Sequence, residues 1–202
     1  MQKNTNTGVA DTSVSPHCDN YTRKLIELLE GLDHSAVEEV VRVLLEARDR
    51  GNRIIFIGNG GSASTASHFA IDIGIGTKGG ENPFRAISLT DNNAILTGLA
   101  NDFGYDQIFV RQLAVSMSPG DVLFAISASG NSPNIVEAVA FANSRGNHTI
   151  GLSGFDGGRL REICNTSLHV PTEKGEYGLV EDVHLVINHI ITSHLTKVIN
   201  DQ

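Results

Sequence analysis

Basic charge, cysteine and long apolar runs are all scarce in this sequence, and each scarcity excludes a class of function. Its 202 residues carry 15 Lys and Arg against 23 Asp and Glu, for a net charge of −8. This predicts no nucleic-acid partner and no membrane partner, because those ligands require a basic surface. The two cysteines, Cys18 and Cys164, favour a reducing, cytoplasmic compartment over a disulfide scaffold. No run of 18 apolar residues is present that would span a membrane.

Nucleotide-binding motifs are also missing. The turn that starts at Gly58 lacks the third glycine of a dinucleotide-binding fingerprint, and no G-x-x-x-x-G-K-[ST] loop occurs. Residues 1–20 are polar and hold no apolar segment of the kind found in secretory signals. They predict a disordered lead-in, or alternatively an arm ordered on a partner subunit, before a single domain over residues 21–200.

Short apolar segments alternate with helical segments after residue 51. Such segments are typical of parallel strands buried on both faces. Their order predicts an α/β fold with a doubly wound, five-stranded parallel sheet, flavodoxin-like or Rossmann-like, that binds ligands at the carboxyl ends of its strands. The predicted strands are Arg53–Ile57, Arg85–Leu89, Asp121–Ser127, Thr149–Ser153 and Ser167–Val170. The predicted helices are Ser62–Gly74, Asn92–Asn101, Asp106–Val115, Pro133–Arg145, Gly157–Ile163 and Val180–Ile199.

Two amphipathic helices are predicted before the first strand, within residues 21–50. Ser35 is predicted to cap the second of them. Because the pair precedes the sheet, we interpret it either as an oligomer contact or as a cover for one sheet face.

Two Ser-rich turns carry the clearest chemical signal, since each follows a predicted strand and precedes a predicted helix. Glycines let backbone N–H groups approach a ligand, a helix N-terminus favours an anion, and serine hydroxyls add donors without bulk. One such loop alone is typical of ordinary helix capping. Two loops at the carboxyl ends of two strands predict a pocket for a phosphorylated small molecule. The turns are Gly58-Asn59-Gly60-Gly61-Ser62 and Ser127-Ala128-Ser129-Gly130-Asn131-Ser132.

Acidic and imidazole side chains recur on two of the predicted helices. His68 and Asp72 are four residues apart and share a helix face. On the last helix, Glu181 and His189 are eight residues apart, about two turns, and His184 lies between them. A single histidine is more typical of a structural role. Such groups on two helices that border one pocket favour catalysis or metal binding.

In their order and spacing, these motifs resemble the sugar isomerase (SIS) domain family, most closely its members that isomerise sedoheptulose 7-phosphate. The likeness extends from about Tyr21 to Ile199. The motifs that carry it are Gly58-Asn59-Gly60-Gly61-Ser62, His68-Phe69-Ala70, Asn101-Asp102-Phe103-Gly104, Ser127-x-Ser129-Gly130-Asn131-Ser132 and Glu181-x-x-His184-x-x-x-x-His189.

The resemblance implies an aldose–ketose isomerase that converts sedoheptulose 7-phosphate to D-glycero-D-manno-heptose 7-phosphate, or acts on a close relative. It implies a homotetramer with active sites at subunit boundaries, to which residues 21–50 contribute contacts. It implies catalytic roles for Asp72 and His189, as the carboxylate and imidazole needed for enediol proton transfer. The implied substrate-binding residues are Asn59, Gly60, Ser62, Ser127, Ser129, Asn131, Ser132 and Glu181. The implied zinc ligands are His68, Asp72, Glu181 and His189.

Three departures from the family pattern point to a divergent member. Asp72 stands where the family has Glu, and Glu181 stands where it has Gln. Gly76 stands where the family has Arg, which removes one polar substrate contact. A set of His, Asp, Glu and His suits a cation, which favours a bound metal.

Two other functions remain as alternatives. The first is a non-catalytic SIS module that binds a sugar phosphate and serves in assembly or regulation. The second is a lyase or hydrolase on the same fold, which the absence of a separate nucleophile disfavours. Because His68, Asp72, Glu181 and His189 are all present, the sequence favours the isomerase.

Overall fold

A computed structural model describes residues 13–78 and 80–200. Five strands form a parallel sheet in the order β2-β1-β3-β4-β5, which confirms the predicted doubly wound α/β fold. The strands are β1 Arg53–Gly58, β2 Arg85–Ser88, β3 Val122–Ser127, β4 His148–Ser153 and β5 Thr166–His169. The α-helices are α1 Ser15–Glu30, α2 His34–Asp49, α3 Gly61–Ile71, α4 Asn93–Phe103, α5 Ile108–Ser116, α6 Pro133–Ser144, α7 Gly158–Ile163 and α8 Tyr177–Asn200.

The central strands are buried on both faces, as their apolar sequences require. Along β1, Ile54 and Phe56 pack into the layer formed with α2, α3 and α8, whereas Ile55 and Ile57 pack into the layer formed with α5 and α6. Because side chains alternate across a strand, a continuous apolar run supplies both layers. None of the helices in the two described ranges is long and apolar enough to cross a membrane.

The N-terminal helices differ from the prediction in two ways. α1 begins at Ser15, so residues 15–20 are helical rather than part of a disordered lead-in; residues 1–12 lie outside the described ranges. Pro16 suits the first helical turn, and the Tyr21 hydroxyl fastens α1 to α8 by donating to Asp182 Oδ2 at 2.6 Å. Asp33, not Ser35, caps α2, because its carboxylate accepts from two N–H groups of the first turn.

α2 is a cover for the sheet, one of the two interpretations offered above. Val40, Val41 and Leu44 are buried in the core layer beside β1. The whole of α1 is described, and none of its residues is buried.

The helix after the first Ser-rich turn changes its geometry partway along. α3 was predicted to continue to Gly74, but it ends at Ile71 and passes into a π-helical turn over Asp72–Gly76. Two glycines in this turn weaken α-helical geometry, and the Thr77 hydroxyl donates to the Ile73 carbonyl at 2.8 Å. Single π turns inside helices are frequent at functional sites, and this one begins at a predicted catalytic residue.

Candidate active site

The two Ser-rich turns lie side by side because β1 and β3 are neighbours in the sheet. Together with the start of α8 they enclose a cavity of about 130 Å³. Ser62 and Ser127 are each only 5% exposed. Besides Ile126 and Ala128, the lining consists of Asn59, Ser62, Ser127, Ser129, Ser132, Tyr177 and Glu181. Six of the eight predicted substrate-binding residues are therefore brought together.

Close approach of backbone and side chain shapes the first turn. Gly60 has φ +54° and precedes the first residue of α3, a conformation that favours glycine. A Cβ on Gly61 would collide with the carboxylate of Glu181. The absence of a side chain at Gly61 therefore leaves room for the Glu181 carboxylate beside the N-terminus of α3.

The second turn is held by its own hydrogen bonds. Ser127 Oγ accepts from Gly130 N at 3.2 Å and lies 3.4 Å from Ser132 Oγ. Ser132 precedes α6 without making a side-chain capping bond, so its hydroxyl is available to the cavity. Ser129 Oγ accepts from Asn131 N at 3.2 Å.

Gly60 and Asn131 are the two predicted substrate-binding residues outside the cavity lining. The Asn131 side chain donates to the Ser129 carbonyl at 2.9 Å and accepts from Arg159 N at 3.0 Å. These bonds fasten the Ser-rich turn to the start of α7. In this structure both residues shape the loops.

Asn59 lines the cavity but also has structural partners. Its side-chain amide and that of Asn134 form a reciprocal pair, with both N–O distances 2.9 Å. The Tyr105 hydroxyl donates to Asn59 Oδ1, also at 2.9 Å. Asn59 therefore ties the first turn to α6 and to the segment after α4.

The predicted catalytic residues form a second cluster. His68 Nε2 lies 3.3 Å from Asp72 Oδ2, and His189 Nε2 lies 4.0 Å from the same oxygen. The two imidazole rings meet edge to face, with centroids 5.1 Å apart. Their ligand atoms and a carboxylate oxygen all lie within 4.8 Å of one another. We call His68, Asp72 and His189 the histidine cluster.

Glu181 does not join the histidine cluster, so the predicted four-ligand set is reduced to three in this structure. The reason is helical geometry: eight residues of α8 place Glu181 about 12 Å from His189 along the axis. On α3, Asp72 follows Ser62 by ten residues, about 15 Å along the axis. The Ser-rich cavity and the histidine cluster are thus at different levels of the same two helices.

The buried polar stripe of α8 contains residues that sequence reasoning left unassigned. His184 is fully buried, its Nε2 lies 3.3 Å from the Ser153 carbonyl, and burial lowers its pKa to about 4. Asn188, also fully buried, donates from Nδ2 to Asp72 Oδ2 at 2.9 Å. A signal was present, because Asn188 interrupts the apolar side of α8 directly before His189.

Comparison with known proteins identifies the class first. The sequence model of the SIS domain family matches residues 19–154, a segment that includes both Ser-rich turns, His68 and Asp72. The chain belongs to the SIS domain family, as its motifs predicted. The helix that carries Glu181 and His189 lies beyond the matched segment.

Longer alignments identify the group within that family. The phosphoheptose isomerase of Pelobacter propionicus is 38% identical over 175 residues, which cover 87% of this chain and 92% of the relative. That of Aliarcobacter butzleri is 37% identical over 168 residues, covering 83% and 86%. The structure of the Neisseria gonorrhoeae phosphoheptose isomerase superposes with a TM-score of 0.79 at 30% identity, covering 90% and 96%. These three relatives within the SIS domain family are all phosphoheptose isomerases.

Proposed function

We propose that this protein is an aldose–ketose isomerase that acts on sedoheptulose 7-phosphate or a close relative, forming D-glycero-D-manno-heptose 7-phosphate or its counterpart. The observation that carries the proposal is the pairing of a Ser-rich cavity with a carboxylate–imidazole cluster on the same two helices. Phosphoheptose isomerases that match over most of their own length support the substrate class. The unpaired Cys18 and Cys164 agree with a cytoplasmic reaction.

The phosphate end of the substrate binds in the Ser-rich cavity. Hydroxyls of Ser62, Ser127, Ser129 and Ser132 converge there beside the N-termini of α3 and α6. Neutral donors and helix termini stabilise an anion without a basic side chain. The Glu181 carboxylate in the same cavity suits a sugar hydroxyl, which donates to it, better than it suits the phosphate.

The histidine cluster performs the proton transfers. Asp72 removes a proton from the carbon beside the ketose carbonyl, and His189 protonates the carbonyl oxygen to give an enediol. Asp72 returns the proton to the former carbonyl carbon while His189 takes one from the other hydroxyl, which leaves an aldehyde. A carboxylate and an imidazole perform these roles near neutral pH.

Two subunits contribute to each active site in this proposal. Within one chain the Ser-rich cavity and the histidine cluster are separated by about 12 to 15 Å along the helices. The side chains of His68 and His189 are 41% and 55% exposed, so they can face a neighbouring chain.

We propose a homotetramer in which residues 21–50 contribute subunit contacts. The observation that supports this contact is a mainly apolar groove of about 630 Å³ between α1, α2 and α8, lined by residues that include Leu29, Val37 and Ile190. Light scattering across a dilution series measures the mass; a monomer at assay concentration would contradict the shared active site.

Zinc fits the histidine cluster. Two imidazoles and one carboxylate within 4.8 Å form a three-ligand set of the kind that catalytic zinc uses, with a position left for substrate. Bound there through a nitrogen of His189, the ion would polarise the substrate carbonyl in place of the proton that His189 otherwise donates. Metal analysis of the purified protein and of its His68→Ala variant tests this assignment, since the variant should lose the metal.

Direct assay of sedoheptulose 7-phosphate, with hexulose and pentulose phosphates in parallel, tests the proposed reaction. Conversion of any of them to the aldose supports an isomerase. Tight binding of sugar phosphates without conversion would instead favour the non-catalytic SIS module.

A further inference from the structure

The side-chain amide of Asn188 makes one hydrogen bond in the described part of the chain, and its partner is Asp72. The side chain is fully buried on α8 and its Nδ2 donates to Asp72 Oδ2 at 2.9 Å. Its other polar atom, Oδ1, is buried and has no hydrogen-bond partner in the described part of the chain. A carboxylate only accepts hydrogen bonds, so the amide orientation with nitrogen toward Asp72 follows from chemistry.

This half-satisfied amide costs stability that an apolar residue would not. A buried acceptor without a partner is destabilising, and a leucine of similar size would bury no polar atom. The bond to Asp72 is therefore what this side chain contributes to the protein.

All three contacts described for the Asp72 carboxylate fall on one oxygen. Asn188 Nδ2, His68 Nε2 and His189 Nε2 all approach Oδ2, at 2.9, 3.3 and 4.0 Å. Asp72 also begins the π-helical turn, and its side chain is one methylene shorter than glutamate. The Asn188 contact is the shortest of the three, and it comes from a fully buried side chain, whereas both imidazoles are partly exposed.

We propose that Asn188 is a positioning residue that fixes the Asp72 carboxylate through Oδ2 and leaves Oδ1 directed to the substrate proton. The proposal rests on the proposed isomerase function. Removal of the Asn188 amide is expected to disturb the orientation of the Asp72 carboxylate and to leave folding and substrate affinity unchanged.

Replacement of the amide by a hydrocarbon tests this role. Asn188→Leu should lower kcat about 10- to 100-fold, the range for partners that orient a functional side chain. KM should stay within about twofold, because the Ser-rich cavity is two turns away on α8. The melting temperature should stay within a few degrees. If Asn188→Leu does not fold, Asn188→Ala is expected to show the same division between kcat and KM.

Thr192→Val is the matched control. Thr192 is the next polar residue on the buried side of α8, and its hydroxyl donates to the Asn188 carbonyl at 2.9 Å without contacting Asp72. The variant should keep the wild-type kcat.

The Asp72→Glu variant separates a positioning role of Asn188 from a structural one. In Asp72→Glu, the carboxylate extends one methylene past the amide, so adding Asn188→Leu should cost less than about threefold in kcat. An unchanged kcat in Asn188→Leu, a loss confined to KM, or an equal loss in both backgrounds would overturn the proposal. Failure of the proposed function would instead appear as no isomerisation by the wild type, or as full activity in Asp72→Asn.

Discussion

The Ser-rich cavity and the histidine cluster share two helices but are built in opposite ways. The cavity is enclosed by backbone turns whose serines at 62 and 127 are nearly buried, and in the second turn the hydroxyls of Ser127 and Ser129 accept from backbone N–H groups two or three residues along the chain. The histidine cluster is assembled from side chains of α3 and α8, and its imidazoles are about half exposed. A single chain therefore forms the Ser-rich cavity by itself, while the side chains of the histidine cluster remain open toward solvent or a second subunit.

The largest expected effect is at the histidine cluster. Asp72→Asn and His189→Ala should each lower kcat about 10²- to 10⁴-fold, because each removes a proton-transfer group. KM should change little, since the cavity is untouched. Steady-state assays measure both constants, and Ser193→Ala, at an exposed position on the same helix, should retain full activity. Full turnover in either variant would show that the histidine cluster does not perform the proton transfers.

His184 lies buried on α8 between the two regions. Its burial should make the free energy of unfolding depend on pH. Burial lowers its pKa from 6.5 to about 4, helped by nearby His169 and opposed by the Ser153 carbonyl. The unfolded chain therefore binds the proton first as pH falls, so stability is lost from about pH 6.5 down to 4. The loss should reach about 3 kcal/mol in the free energy of unfolding.

Denaturant unfolding at a series of pH values measures the contribution of His184. His184→Gln cannot titrate and should lose this part of the pH dependence, whereas His194→Gln should keep it. Identical slopes in wild type and His184→Gln would show that the buried imidazole is not responsible.

At the cavity, a smaller and different effect is expected. Ser132→Ala removes one hydroxyl donor from the phosphate, which is worth about 1.5 kcal/mol and should raise KM about tenfold with kcat nearly unchanged. Ser144→Ala at the opposite end of α6 is the control, because its hydroxyl bonds to the Phe141 carbonyl at 2.7 Å. A fall in kcat alone would assign Ser132 to the reaction and not to phosphate binding.

The smallest effect concerns the negative charge within the cavity. Glu181→Gln keeps the shape of the side chain and removes a charge that repels phosphate, so inorganic phosphate should bind several-fold more tightly. Calorimetry measures the affinity. Asp182→Asn makes the same charge change one residue further on, where the carboxylate bonds to Tyr21, and should leave the affinity unchanged. Weaker phosphate binding in Glu181→Gln would place Glu181 among the groups that hold the phosphate.

Local sequence predicts the Ser-rich cavity better than it predicts the histidine cluster. The sheet and both Ser-rich turns follow from apolar runs and from glycine and serine at fixed spacing, and the structure places those turns together. Whether Glu181 and His189 lie together can be judged only in three dimensions. Two helical residues eight positions apart point the same way, but they lie two turns apart along the axis. Asn188 was missed because one polar residue on the apolar side of a helix matches no known motif, although it does interrupt that side. Asp33 replaced Ser35 as the cap because both residue types favour that position, and only backbone geometry separates them.

The π-helical turn at Asp72–Gly76 makes chain length a determinant of how the Asp72 carboxylate is oriented. A turn closed by i→i+5 bonds holds one residue more than the α-helical turn it replaces. Deleting a single residue there, such as the largely exposed Ile75, would return the helix to regular winding while every catalytic side chain remained in the sequence. The orientation of the Asp72 carboxylate is thus open to change by insertion and deletion as well as by substitution.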